Sequence, residues 1–260
     1  MDHIVYLPSV FGRIAAYRDD LITQQIRDFG NHTRPEFAFA TSILGPGMTC
    51  LDLGAHIGTF TLLARQKVCA FGKVYAVEPM ADTFEILEKN VRRAPNENVV
   101  LRRALIGEAG KIYQVVRPDG NTGASFFSTA ETAHLDTPTL SLSQLLDEIG
   151  VTIDYLKIDI EGLEYTALLS APALFEMRPV IYMEVSRDQL ARHGASIEQL
   201  DQLLCDRGYT FFVNSGDRNA DHDVFRVKHL PSLTGYKPFF DALCVPAEHK
   251  HAKVLHHAAS

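Results

Sequence analysis

Residues 52–58 read Asp52-Leu53-Gly54-Ala55-His56-Ile57-Gly58, at the end of an apolar run and directly before a stretch of helical period through Phe60, Leu63 and Ala64. A strand that turns through glycines into a helix is the opening unit of a βαβ fold. Gly54 and Gly58 carry no Cβ, so the backbone can turn sharply there and approach a ligand, with the N–H groups of the new helix expected to face it. Such turns are common, and this one gains weight from its neighbours.

Outward from the turn, short apolar runs alternate with helical segments from about residue 48 on, which predicts strands at 49–53, 73–77, 99–101, 155–160, 180–183, 210–213 and 242–245. The expected fold is α/β, Rossmann-like and doubly wound, with a seven-stranded, mostly parallel sheet and helices on both faces. Ser141 with Gln144 and Ser196 with Gln199 have capping-box spacing, and Gly150 and Gly208 stand where those helices should end. The stripes Leu142/Leu145/Leu146/Ile149 and Ile197/Leu200/Leu203/Leu204 are core faces. Residues 1–47 are read as a helical lead-in, with helices at 21–29 and 35–43, and 48–260 as the α/β domain. The Gly- and Asn-containing stretch 117–128 is expected to be an exposed loop or hairpin near the ligand.

The bulk properties narrow the function. At 260 residues, with 46% hydrophobic and 22% charged side chains, the chain has enough apolar material for a core without disulfides or metals. Its net charge of -7 disfavours nucleic acid, whose phosphates need clustered cations, and the pairs Arg92/Arg93 and Arg102/Arg103 are read as solvated. Cys50, Cys69, Cys205 and Cys244 show no CxxC spacing and are read as reduced thiols. The absence of an apolar stretch of ~20 residues argues against a membrane span, and a cytoplasmic location is expected. His249, His251, His256 and His257 read as a frayed tail.

Four predicted strands end in acids: Asp52, Glu78, Asp159 and Glu184. In an open parallel sheet ligands bind at these ends, and an acid is costly there unless it meets a ligand or partner. Glu78 follows the glycine turn by roughly 20 to 25 residues, the separation at which a carboxylate grips a ribose diol, and Pro79 stiffens the next turn. A nicotinamide dinucleotide site would need a third glycine, and a Walker site a GK[ST]; neither is present. Lys157, Asp159 and Glu161 alternate along the fourth strand and should share one side, either as an ion pair that braces the loop or as reacting groups.

Taken in order, DLGAHIG, VYAVEP, ALIGEAG, YLKIDIEGLE and VIYMEV resemble the FkbM family of methyltransferases over about residues 48–186. The resemblance implies the class I methyltransferase fold, S-adenosylmethionine as donor, and a hydroxyl of a sugar, polysaccharide or secondary metabolite as acceptor. By the same resemblance Asp52, Gly54 and Gly58 surround the methionine part, Glu78 the ribose, Ala104 and Leu105 the adenine edge, and Asp159 faces donor and acceptor; Ala55, His56 and Pro79 are also expected at the cofactor. The chain departs from the family at His56, where Asn is commoner, at Ser143 and at Ser170. Asp159 or Glu161 is the expected base, with Lys157 holding the carboxylate and His56 as an alternative base. No resident metal is expected, although a second reading places Mg²⁺ on Asp159, Glu161 and Glu184. A third makes the chain a donor-binding module without turnover. The acceptor's identity and the oligomeric state stay open, because 1–47, 117–128 and 215–237 carry no readable motif.

Overall fold

A computed structural model describes residues 3–93, 98–116, 120–122, 125–129 and 136–259. The chain opens with an antiparallel hairpin, β1 (Ile4–Ser9) and β2 (Gly12–Tyr17), then α1 (Leu21–Phe29) and α2 (Arg34–Ala40). The α/β succession follows: β3 (Thr49–Leu53), α3 (Thr59–Val68), β4 (Lys73–Val77), α4 (Ala81–Arg92) and β5 (Val99–Arg102). Next come β6 (Leu105–Ile106), a second hairpin of β7 (Tyr113–Val116) and β8 (Phe126–Thr129), β9 (Thr139–Leu140) and α5 (Leu142–Ile149). The chain returns to the sheet with β10 (Tyr155–Ile158), α6 (Glu164–Leu169), α7 (Pro172–Glu176) and β11 (Val180–Ser186). It closes with α8 (Arg187–Arg192), α9 (Ile197–Cys205), β12 (Tyr209–Asn214), β13 (Val227–Leu230), β14 (Phe239–Pro246) and α10 (Lys250–Ala259).

The central sheet has the order β13-β12-β14-β11-β10-β3-β4-β5. β5, β4, β3, β10 and β11 are parallel, whereas β14 runs antiparallel between β11 and β12. Strand order reverses at β3, with β4 on one side and β10 on the other, so a crevice opens at their carboxyl ends. The sheet holds eight strands rather than the expected seven. The extra one, β13, extends the edge beyond β12, where its neighbouring polar loop masks a short apolar repeat.

Side chains alternate between two cores, as pleating requires. Leu51, Leu53, Leu156, Ile158, Ile181 and Met183 face one, covered by α5, α6, α7 and α9. Cys50, Val74, Tyr155, Val180 and Phe212 face the other, covered by α2, α3 and α10. Helices on both faces follow from that alternation. Ser141 forms a complete capping box with Gln144, and Gly150 closes α5 in the left-handed region. Ser196 caps α9 through the Gln199 N–H, but α9 stops at Cys205, ahead of Gly208.

Two expectations for the chain ends are corrected. Ahead of α1 lies a hairpin, whose Leu7 and Ile14 pack against Ile57, Leu62 and Ile86. The histidine-rich end is an ordered helix, α10: Ala252 and Leu255 are buried, and the His256 ring packs 4.9 Å from Phe212 and 4.4 Å from His229. Of the stretch expected as a loop or hairpin near the ligand, residues 126–128 belong to β8, and residues 117–119, 123 and 124 lie outside the described residues.

Candidate functional site

Pairing of β3 with β10 sets Asp52 directly beside Lys157 on one face of the sheet. Lys157 is buried, and its Nζ donates to Gly54 O at 2.6 Å and Leu53 O at 3.3 Å. The same ammonium lies 3.4 Å from Asp159 Oδ2 and 3.5 Å from Asp52 Oδ1. Burial alone would lower its pKa, but Asp159 and Asp52 outweigh that and hold it above the ordinary lysine value. Asp52 is fully buried; Thr61 Oγ1 donates to its Oδ2 at 2.5 Å, whereas Oδ1 faces the Lys157 ammonium. Burial pushes this carboxyl up, against the pull of Lys157 and Thr61.

The glycine turn is built for close approach. Gly54 has φ 77°, and a Cβ there would lie 1.9 Å from the backbone oxygen of Asp159. This left-handed turn aims the Gly54 and Ala55 N–H groups back at Val77 O (3.0 and 2.9 Å) and the His56 N–H at Glu78 Oε2 (3.0 Å). These three amides thus join the turn to β4. Glu78 also accepts the Met80 N–H on Oε1 at 2.9 Å, so backbone donors fix the carboxylate at the cavity wall. His56 is itself left-handed, at φ 50°. Its Nε2 lies 3.0 Å from Thr122 Oγ1, which donates its proton to Asp20 Oδ2 at 2.8 Å and must therefore accept from His56.

Across the crevice, β10 ends at Ile158, so the alternation expected to run from Lys157 to Glu161 stops early. Asp159 still contacts Lys157, with its side chain 37% exposed, but Glu161 is delivered by a left-handed turn at φ 59°. Gln189 Nε2 donates to Glu161 Oε2 at 2.5 Å. Burial first, then Asp159 and Glu164, push the Glu161 carboxyl up to about 9. Glu164 holds the turn by accepting the Ile160 and Gly162 N–H groups on Oε1 at 2.9 and 3.2 Å, and burial raises it to about 7.

The antiparallel pairing of β11 with β14 places Glu184 opposite Asp241. Arg218 bridges the two acids, hydrogen-bonding Asp241 through Nη1 and lying 3.7 Å from Glu184 through Nη2.

These groups surround one cavity of about 310 Å³. Of the residues expected at the site, Gly54, Ala55, His56, Glu78, Pro79, Ala104, Leu105, Lys157, Asp159 and Glu161 line it. Asp52 stands behind Lys157, and Gly58 caps α3 at φ 94° with a Cβ position only 2.7 Å from Leu87, so neither lines the cavity. Asp159, Glu161 and Glu184 turn to different partners, Lys157, Gln189 and Arg218, and among the described residues no three potential metal ligands converge. Sequence reasoning missed Arg218, Asp241 and the Asp20–Thr122 pair. Asp241 carried a signal: it heads the apolar run 242–245, but the expectation looked to strand ends, whereas an antiparallel strand reaches this edge with its beginning.

The strand order and the crevice at its switch point define a class I, S-adenosylmethionine-dependent methyltransferase fold. A family model described as "Methyltransferase FkbM domain" matches residues 52–211, and the chain belongs to that family. The hexuronic acid methyltransferase AglP of Haloferax volcanii is 31% identical over 176 residues, 67% of this chain and 69% of the relative. Among solved structures, a SAM-dependent methyltransferase from Aquifex aeolicus is similar at 16% identity, covering 88% of this chain and 94% of that one, with a TM-score of 0.44. M. jannaschii TYW2 in complex with AdoMet is similar at 15% identity, covering 94% and 87%, with a TM-score of 0.42. The chain is a methyltransferase that uses S-adenosylmethionine. The donor set fits an adenosyl group: Glu78 is an acceptor-only carboxylate, and Val77, Ala104, Leu105 and Ile106 form an apolar wall. No helix among the described residues is long and apolar enough to cross a membrane.

Proposed function

We propose that the protein O-methylates a hydroxyl of a sugar or related polyol, with Asp159 as the base. S-adenosylmethionine supplies the methyl group on an electrophilic sulfonium, so the chain's tasks are alignment and removal of the acceptor proton. Glu78, fixed by the His56 and Met80 N–H groups, holds the ribose, with Pro79 beside it. Ala104 and Leu105 cover the adenine, and Gly54, Ala55 and His56 lie under the methionine part, on a turn that Gly58 and the buried Asp52 support.

The observation that carries the assignment of the base is the placement of Asp159 in the cavity with Lys157 Nζ 3.4 Å away. That ammonium orients the carboxylate while Asp159 Oδ takes the hydroxyl proton. Glu161, raised to about 9, carries its own proton at neutral pH and serves as a neighbouring hydrogen-bond donor. His56 Nε2–H is committed to Thr122, which ranks His56 behind Asp159. The sugar acceptor is supported by the Haloferax relative's name and by the polar groups around Glu184 and Asp241. Four free thiols fit work in a reducing compartment such as the cytoplasm.

The test is methyl transfer from tritiated S-adenosylmethionine to a panel of glycosides, beside calorimetric binding of the donor. Asp159→Asn is expected to lose about 10²–10⁴-fold in turnover while donor affinity stays within a few-fold. Near-wild-type turnover in this variant would remove Asp159 from the mechanism.

A further inference from the structure

We propose that the acceptor carries no carboxylate and is an uncharged hexose rather than a hexuronic acid, because Arg218, the cation on the acceptor side, is committed to the fold's own acids. The inference rests on the sugar reading above. It begins with strand register: β11 and β14 set Glu184 directly opposite Asp241, and like charges in that position repel. Arg218 answers this pair, bonded to Asp241 through Nη1 and 3.7 Å from Glu184, with its guanidinium 5.2 Å from the Phe239 ring centroid. An acceptor carboxylate could recruit Arg218 only by drawing it off Asp241, leaving that buried acid without its cation.

No further lysine or arginine among the described lining residues compensates. Among the described residues, the second lysine or arginine lining the cavity is Lys157, which is already bonded to Gly54 O and paired with Asp159 and Asp52. Against these two cations stand the carboxyl groups of Glu78, Asp159, Glu184 and Asp241, beside Glu161, which carries its own proton. His32 adds no charge, since burial first, then Arg218, push it down to about 3. On the loop that carries Arg218, Asp217 and Asp221 are exposed, and Arg34, which reaches that loop, pairs with Asp223. An approaching anion therefore meets acidic groups inside the cavity and on the Arg218 loop.

A neutral sugar meets suitable partners. Its hydroxyls can donate to Glu184 and Asp241, and the Phe239 ring, 46% exposed, offers an apolar surface for the C–H face of a pyranose.

Methyl glucopyranoside and methyl galactopyranoside, each with its matching methyl uronide, would be compared as acceptors of tritiated methyl groups. The hexosides are expected to exceed the uronides by about tenfold or more in kcat/KM. Equal or better transfer to the uronides overturns the inference. Transfer to neither class by protein that still binds S-adenosylmethionine defeats the sugar reading itself, and this inference with it. Asp241→Asn, checked for folding by thermal unfolding, should release Arg218 and move the uronide-to-hexoside ratio up by about tenfold. An unchanged ratio in the folded variant overturns the role of Arg218. If Asp241→Asn does not fold, Glu184→Gln removes the other acid beside Arg218 and is judged by the same ratio.

Discussion

Removal of the Lys157 ammonium would leave Asp52 fully buried without the cation 3.5 Å from Oδ1. Breaking a buried pair from one side costs about 3–5 kcal/mol, so Lys157→Met should lower the denaturant midpoint markedly, and adding Asp52→Asn should restore much of the loss. A second residue-scale expectation concerns pH. Glu164 sits at about 7 in the fold against an ordinary 4.5, so the native state holds its proton where the unfolded chain has released it. Its contribution is complete below 4.5 and is lost as pH rises through 7. Melting temperatures at pH 5 and pH 8 should differ less in Glu164→Gln than in wild type, because Gln Oε1 can still accept the two turn N–H groups. The strand-end acids and the glycine turn were legible in the sequence because each breaks a local rule: a carboxylate in an apolar run, or a glycine where a strand becomes a helix. Arg218 was not, since an arginine in a polar loop breaks none.

The helix α5 shows what one cap contributes. Its first turn is held by the reciprocal Ser141 and Gln144 bonds, and Leu142 and Leu145 sit in the core beneath the apolar wall of the cavity. Ser141→Ala should cost about 1 kcal/mol, or about 2–4 °C in melting temperature for a chain of this size, measured by calorimetry. Elements with strong local periodicity were readable: β3, β4 and α1 fall where the pattern placed them. The first hairpin was not, because its pairing depends on distant groups. Asn90 of α4 accepts the Ala15 N–H and donates to Ala15 O and Ile57 O, which ties β2 to the glycine turn. In α10, three histidines hide the small apolar stripe of Ala252 and Leu255.

For the whole molecule, donor binding should appear as stability. A ligand that binds the folded chain alone adds about 2.7 kcal/mol at a hundred times its dissociation constant, so S-adenosylmethionine should raise the melting temperature in scanning fluorimetry. Glu78→Ala should lose most of that rise while Asp159→Asn keeps it, separating the ribose holder from the base. At this scale the parallel α/β architecture followed from alternating runs, but the long-range register that faces Glu184 with Asp241 did not, because pairing partners separated by tens of residues leave no local trace.

The position of β14 has a consequence for biosynthesis. A ribosome releases residues in order, so Tyr209–Asn214 emerges before Phe239–Pro246, the segment that joins it to Val180–Ser186. Until that segment inserts, two open strand edges face one another, each a template for unwanted pairing. Closing the gap and completing the wall that bears Asp241 are a single late event, and a nascent polypeptide stalled before it displays adhesive borders where the finished enzyme displays a pocket.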